Sequence, residues 1–554
     1  MDIQEKIRRS YQSSGVPAVY PTAVQGELFV PCRDGITLRT FWYHPPGEGP
    51  FPTIVQRSCY PQNEDAYRTH GRELSARGYG YICQFCRGTG GSGGVWEPNV
   101  NEPADGADFI RWANGLSWVE SLGYWGCSYL AATGWAITGE LPEKVKSMLL
   151  THYGTERFTS AYESGLFRHD VLTGWAMDNA GRPIGADYLT SCLYRPHEQV
   201  DEALWGGRID WYRDWVTNPH RSDPYWNEGY WAFLSEAPEK LTVPVCIVEG
   251  WYDHHLGSAM ETYHRLNPRA AAHSRLIIGC WNHGFEPCAE GRVQENLQND
   301  EVHQLLDWFE TTLKQKKLPE RRVDWYITGA DRWQHWDCYP LSSQSRSFCL
   351  AAGGRLSPEI PEAGARSYDY DPQNPVRTHG GEALLKSWPE IGSLYQPEPD
   401  WRPDVLSFVS DPLTEDLTIL GRIQAELFVK SDADDTAFTV RLMQVLPDGK
   451  AVFLRSSIVT LAFSEPYTPG ETRCLTLSLW DIAYQLHKGD RLRVDLSSSD
   501  FPQYAVHSNY AGIWSRQEKT RVAHQTILFG GDTPSRVILP VEDEKQPNKK
   551  ENAV

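Results

Sequence analysis

The sequence predicts a parallel α/β core, split by a helical insertion and followed by an all-β domain. Three observations predict it. Buried-strand and helix-like segments alternate over the first ~150 residues. That rhythm breaks over about 155–240, where helical patterns follow one another, and resumes after it. From about residue 322 the pattern turns to short alternating strands separated by turn residues. The expected boundaries are core 1–154, insertion 155–240, core 241–321, β domain 322–545 and a polar tail 546–554.

In the first part, GELFVPCRDGITLRTFWYHP reads as two strands around an Asp34-Gly35 turn. FPTIVQRSCY is an apolar run ending in polar residues, and GYICQFC is a buried strand. ADFIRWANG carries Phe109, Ile110 and Trp112 on a short helix that stops at Gly115. SWVESLGYWGCS is a strand leading into a turn, with a helix start after it. The insertion contributes AYESGLFRHDVLTGWAMDNA and EQVDEALWGGRIDWYRDWV, helical in pattern with no strand run between them. VPVCIVEGWYD and SRLIIGCWNHG then supply two more buried strands, and EVHQLLDWFETTLKQK an amphipathic helix.

The last part alternates cleanly. Ile423, Ala425, Leu427 and Val429 share one face, as do Leu492, Val494 and Leu496. Turn signals at Pro447-Asp448-Gly449 and Pro469-Gly470 complete the signature of a β-sandwich. The Pro- and Gly-rich stretch 370–403 reads as a connecting loop.

Composition narrows the function. A net charge of −19 disfavours nucleic acid, which needs clustered Lys and Arg. No stretch approaches ~18 uninterrupted apolar residues, so no membrane partner is expected. The start, MDIQEKIRRSYQSS, lacks the apolar segment of a secretory signal. The 12 cysteines sit largely in apolar runs, as reduced thiols do in the cytoplasm. Cys83 and Cys86 form the sole CxxC pair, and no second pair follows at zinc spacing, so no metal is expected. The 22 Trp, 27 Tyr and 18 Phe are expected to divide between core packing and an aromatic-lined pocket.

Three strand ends carry chemistry. Gly126-Cys-Ser128-Tyr129 follows a strand and opens a helix, the context of a nucleophile elbow. Taken alone, Ser128 is equally well a helix-capping serine. Asp253 ends GWYD after the strand VPVCIVE, and His283 ends WNH after SRLIIGC. A loop carboxylate and a core histidine are the bland readings of those two. Ser, Asp, His is the chain order of the α/β-hydrolase triad, and all three fall at one edge of a parallel sheet, where ligands collect. Gly88-Thr-Gly90-Gly-Ser-Gly93 fits GxGxxG, but VWEPNVNEP follows it and cannot start a helix promptly. A dinucleotide site needs that helix, so the glycines read as a structural turn and no cofactor is expected. His254 and His255, beside the acid, read as surface histidines.

These motifs resemble the serine hydrolase family that includes cocaine esterase, glutaryl acylase, α-amino acid ester hydrolase and X-prolyl dipeptidyl aminopeptidase. The family's GxSYxG is matched by Gly126-Cys-Ser128-Tyr129-Leu-Ala131, with Ala in the last place. Its WYD segment is matched by Trp251-Tyr252-Asp253, and its PWxHG by Cys280-Trp-Asn-His283-Gly284, with Cys for Pro. Arg57-Ser-Cys-Tyr60 matches its RxxY, whereas Gln84-Phe85-Cys-Arg87-Gly88 lacks the Asp of its QDxRG. SDPLTEDLTILG and LSLWDIAYQLHKGDRLRVDLSSSDFP look like its jelly-roll domain. The resemblance thus implies an α/β-hydrolase core with an inserted helical cap and a C-terminal jelly roll.

It also implies an oxyanion hole built from the Tyr60 hydroxyl and the backbone N–H of Tyr129. The expected activity is cleavage of a small-molecule ester with an aromatic or short acyl group, through Ser128, His283 and Asp253. An amidase, acylase or X-prolyl aminopeptidase with the same triad is the alternative, and a non-catalytic carbohydrate- or peptide-binding protein the outsider. Phe167, Trp175 and Trp251 are the candidate pocket aromatics. Cap acids such as Glu163, Asp170 and Asp178 are expected to be solvated rather than aimed into the pocket. Homo-oligomerisation is left open.

Overall fold

The structure, a computed structural model, describes residues 2–340, 344–383 and 390–542. The expected tail 546–554 lies outside the described residues. A ten-stranded sheet forms the core. Its strands are β1 (Val24–Pro31), β2 (Thr37–His44), β3 (Phe51–Ser58), β4 (Gly80–Phe85), β5 (Val119–Cys127) and β6 (Val145–Thr151). β7 (Tyr162–Glu163) and β8 (Leu166–Phe167) form a separate hairpin. β9 (Val245–Gly250), β10 (Arg275–Gly279), β11 (Arg322–Ile327) and β12 (Arg332–Trp336) complete the sheet.

The order is β1-β2-β4-β3-β5-β6-β9-β10-β11-β12, parallel from β4 through to β11. Helices cover both faces, which explains why β4 and β9 are buried at every residue. Close helix–sheet packing needs small residues: a Cβ on Gly123 of β5 would fall 2.4 Å from the Phe309 ring.

Register places the site. Cys127 of β5 pairs with Thr151 of β6, Thr151 with Val248 of β9, and Gly250 with Gly279 of β10. Four neighbouring strands therefore end at nearly one level. The residues that follow them are Ser128, His152, Asp253 and His283.

Between β6 and β9 the chain is helical, apart from the β7–β8 hairpin, and includes His169–Asp178, Asp210–Thr217 and Gly229–Lys240. The expected switch to an all-β domain at 322 falls inside the core instead. Arg322–Ile327 pairs in parallel with β10, and Arg332–Trp336 adds an antiparallel edge strand. A buried core strand and a sandwich strand carry the same apolar run, so the pattern alone moved the boundary too early.

Beyond it, from Gln344 to Val541, lie twelve strands among the described residues, nearly all antiparallel. Ile423, Ala425, Leu427 and Val429 are all buried, as are Leu492, Val494 and Leu496. In the stretch 370–403, Tyr395–Gln396 pairs with Ala451–Val452; residues 384–389 lie outside the described residues. This domain is bonded to the core: Thr328 N–H donates to Ala483 and accepts from Gln485 N–H through its carbonyl, at 3.1 and 2.8 Å. Among the described residues no helix is long and apolar enough to cross a membrane.

Candidate active site

Ser128 stands between β5 and the helix Tyr129–Trp135, with φ 58° and ψ −125°. A side chain is strained there, and such strain persists only where the surroundings enforce it. They do so here: Ser128 N–H donates to the Thr151 carbonyl of β6 at 2.9 Å. Gly126 permits the turn, since a Cβ on it would meet the Leu130 carbonyl oxygen at 2.1 Å. The serine thus projects from the sheet edge, as an exposed nucleophile requires.

Asp253 is fully buried. Its Oδ2 lies 2.5 Å from His283 Nδ1, and its Oδ1 accepts the backbone N–H of His255 at 2.6 Å. Burial works to raise the Asp253 carboxyl, but the imidazoles of His283 and His254 and the hydrogen bonds from His152 and His283 hold it well below the usual range. His283 and Ser128 line the same cleft.

A second histidine, not singled out in the sequence, joins this carboxylate. His152 follows β6 at φ 54°, and its Nδ1 lies 2.9 Å from Asp253 Oδ2. Burial lowers its pKa, so it is neutral, with its proton on Nδ1; Nε2 has no hydrogen-bond partner. Glu249 Oε1 is 3.6 Å from the same nitrogen. Burial and the Asp253 charge raise Glu249 well above the carboxylate range, which leaves Asp253 as the single anion of the group. The one sequence signal for His152 was its place after the apolar run SMLL. His152, Asp253 and His283 bring possible metal-ligand atoms within 4.8 Å of one another. Both Nδ1 atoms, however, approach one carboxylate oxygen at hydrogen-bond distance, which is a donor–acceptor arrangement.

Tyr60 lies just beyond β3 and borders the cleft at Ser128. Its hydroxyl oxygen accepts the indole N–H of Trp175 at 3.0 Å, and its proton is directed to the neighbouring Cys59 sulfur. Burial keeps the phenol protonated by raising its pKa well above the ordinary value. Trp175, the expected pocket aromatic, also stacks on Tyr129 at 6.1 Å and 9°. Tyr129 begins the helix after Ser128, so its N–H belongs to the unpaired first turn. Its hydroxyl donates to Glu102 at 3.0 Å, and the residue lines the cavity at Ser128.

Other expectations are corrected. Phe167 does not line the cleft; it is fully buried and stacks on Trp514 at 5.3 Å. Trp251 is likewise core, its indole donating to the Tyr326 carbonyl at 2.8 Å. His254 and His255 are not surface residues: both are buried, both line the cavity at Ser128, and burial keeps both neutral. His255 Nδ1 is 2.8 Å from Ser160 Oγ. Asp170 is buried rather than solvated; Glu163 is half-buried and accepts from Ser457 of the C-terminal domain at 3.1 Å; Asp178 is exposed.

The Gly88–Gly93 stretch is a closed turn, Gly88 N–H donating to the Gly93 carbonyl at 2.9 Å, and the next helix starts only at Glu102. Phe85, where the family's Asp is missing, packs against that turn: a Cβ on Gly90 would fall 2.4 Å from its ring.

Residues 34–285 match the X-Pro dipeptidyl-peptidase (S15 family) model, and residues 316–538 match the X-Pro dipeptidyl-peptidase C-terminal non-catalytic domain. A cocaine esterase from Rhodococcus sp. is 28% identical, over 94% of this chain and 98% of its own length. A putative serine esterase of Mycobacterium bovis is 22% identical, over 86% and 91%. Among solved structures, an α-amino acid ester hydrolase superposes with a TM-score of 0.79 at 21% identity, over 96% of this chain and 97% of that one. An aminopeptidase from a marine sediment archaeon, Thaumarchaeota archaeon, does so at 0.79 and 20%, over 94% and 96%. Together the two family models span most of the chain, which belongs to the X-Pro dipeptidyl-peptidase (S15) family of serine hydrolases.

Proposed function

We propose that the chain is a serine esterase that cleaves short acyl esters through an acyl-enzyme. The observation that carries this reading is the 2.5 Å contact of Asp253 with His283, in a cleft that His283 shares with a strained, projecting Ser128. His283 takes the Ser128 proton as Oγ bonds to the acyl carbon. The carbon–oxygen bond to the alcohol then breaks, and His283 gives the proton to the departing oxygen. Water repeats the sequence and releases the acid. Asp253 fixes the imidazole and balances its charge. The Tyr60 hydroxyl and the Tyr129 N–H donate to the oxyanion that exists only during transfer. Half-buried Cys127, next to the nucleophile, has its thiol pKa raised well above the ordinary value by desolvation and does not compete.

The same chemistry serves an amidase or an X-prolyl aminopeptidase. An aminopeptidase also needs carboxylates to hold a free α-amine. Asp253 aside, the one carboxylate at this cleft among the described residues is Glu301, on the His283 side, and it already accepts from Trp125 and Thr151. This favours the ester. We read the C-terminal domain as a jelly roll and, because the 12 cysteines of the whole chain are free thiols, infer a cytoplasmic location. The test is a fluorophosphonate probe followed by peptide mapping, beside a panel of esters and amides. Labelling confined to Ser128, lost in Ser128→Ala together with turnover, is the expected result. A protein that takes up no label and hydrolyses nothing is a binding protein instead.

A further inference from the structure

The cleft at Ser128 has two sides. One holds His283, Trp125 and Glu301. The other is a small cavity of about 30 Å³ that includes Asn99, Tyr153, Arg157, His254 and His255. Tyr60, Ser128 and Trp175 border both. Acid catalysis assigns the sides. The group that His283 protonates must leave on the His283 side, so the acyl group occupies the small cavity.

Arg157 stands in that cavity as a buried cation, 8% exposed. It opens the helix Arg157–Ala161, which follows β6 and its loop. No carboxylate among the described residues forms an ion pair with it, and its Nε has no hydrogen-bond partner. The adjacent Glu156 turns instead to Arg221, at 3.2 Å. Its guanidinium carbon lies 5.2 Å from the Trp215 ring centre and 5.9 Å from that of Trp231, and Tyr153 takes a hydrogen bond from it. Rings and a phenol orient a guanidinium but do not neutralise it. The two histidines beside it are neutral. A buried charge without a counter-ion is costly, and such a charge in a substrate cavity is satisfied when the ligand supplies the opposite one.

We propose that the acyl group taken by this enzyme ends in a carboxylate, with Arg157 as its counter-ion. The preferred substrates are then half-esters of short dicarboxylic acids. The planar fork of arginine matches a carboxylate through two parallel hydrogen bonds. The proposal rests on the esterase reading above.

The experiment compares monomethyl succinate with its neutral isostere methyl succinamate, by pH-stat. Wild type is expected to favour the anion in kcat/KM by about ten- to a hundredfold, the worth of a hydrogen bond to a charged group. Arg157→Gln should bring that ratio towards one, and Arg157→Lys should keep part of it. Reading a ratio within each variant removes any loss common to both substrates, and melting curves confirm folding. A wild-type ratio near one overturns the proposal, as does an unchanged ratio in folded Arg157→Gln. Acetoxyacetate carries its anion on the leaving alcohol; an Arg157-dependent preference for it over acetoxyacetamide overturns the acyl-side assignment. Calorimetry of succinate with Ser128→Ala protein reads the site without turnover. Binding that depends on Arg157, in a protein that cleaves neither ester, would keep the anion site and overturn the esterase reading. Ester turnover with no succinate binding would do the reverse.

Discussion

His152 Nδ1 lies 2.9 Å from Oδ2 of Asp253, the oxygen that also receives His283. One carboxylate oxygen thus orients two imidazoles from two different strand ends. The rings meet edge to face, with centroids 5.2 Å apart. His152 does not border the cleft, so it acts by positioning. His152→Phe keeps a ring and removes the hydrogen bond. Displacing a catalytic group by about 1 Å costs on the order of 10²-fold. We expect kcat to fall by roughly ten- to a hundredfold with KM unchanged. A variant with wild-type kcat would show that the His255 N–H alone suffices to hold Asp253.

Ser128 sits at φ 58°, where a residue with a Cβ is strained by about 1–3 kcal/mol. Ser128→Ala keeps the Cβ; Ser128→Gly removes it. Both should lose turnover, and the glycine variant should be more stable by about 1 kcal/mol. Chemical denaturation of the two proteins makes the comparison. Equal stability, or a less stable glycine variant, means that the elbow carries no such strain.

The Trp175 N–H holds the Tyr60 hydroxyl by its oxygen, and to serve the oxyanion Tyr60 turns its proton from the Cys59 sulfur to the substrate. Tyr60→Phe should lower kcat by roughly 10²–10³. Trp175→Phe leaves the hydroxyl in place but unoriented, and a loss of about tenfold is expected, smaller than a missing donor. If the two variants fall in the opposite order, the indole and not the phenol is the more important group.

Asp170 is fully buried, with one oxygen 3.8 Å from Arg168 Nε. Burial raises its carboxyl from 3.8 to about 7, with Arg168 opposing. The folded value lies above the unfolded one, so this group's contribution is complete below about 4 and is lost as the pH rises to about 7. Asp170→Asn is neutral throughout. It should melt above wild type at pH 8, and the difference should vanish at pH 4. A variant that melts below wild type at pH 8 would show that Arg168 keeps the carboxylate ionised.

Much of the site was legible because parallel strands buried on both faces leave uninterrupted apolar runs, and their polar ends fall at one edge. Ser128, Asp253 and His283 each closed such a run. His152 closes one too, but its loop carried no motif to single it out. Phe167 and Trp251 show the limit of composition: aromatic residues fill cores and pockets alike, and only packing assigns them. Arg157 could not be read because the absence of a partner is a property of the fold. The domain boundary failed for a related reason, since Val323–Ile327 has the same pattern whichever sheet receives it.

The choice between ester and amide follows from which charges face the acyl group. An amide is resonance-stabilised, and its leaving nitrogen must be protonated before it departs. An aminopeptidase meets that demand with binding energy from the substrate's α-ammonium group, held by carboxylates. Here Glu163 is directed to Ser457 and Asp170 to Arg168, and neither lines the cleft. Glu301 lies on the side of the leaving group. The cation in the acyl cavity is Arg157, which would repel an ammonium group. Short acyl esters should therefore exceed matched amides in kcat/KM, and an unblocked dipeptide anilide should be among the poorest substrates. The comparison is made with methyl esters and anilides of the same acyl groups, including glycyl-proline. Faster turnover of the glycyl-proline anilide than of the acetyl and butyryl esters would restore the aminopeptidase reading.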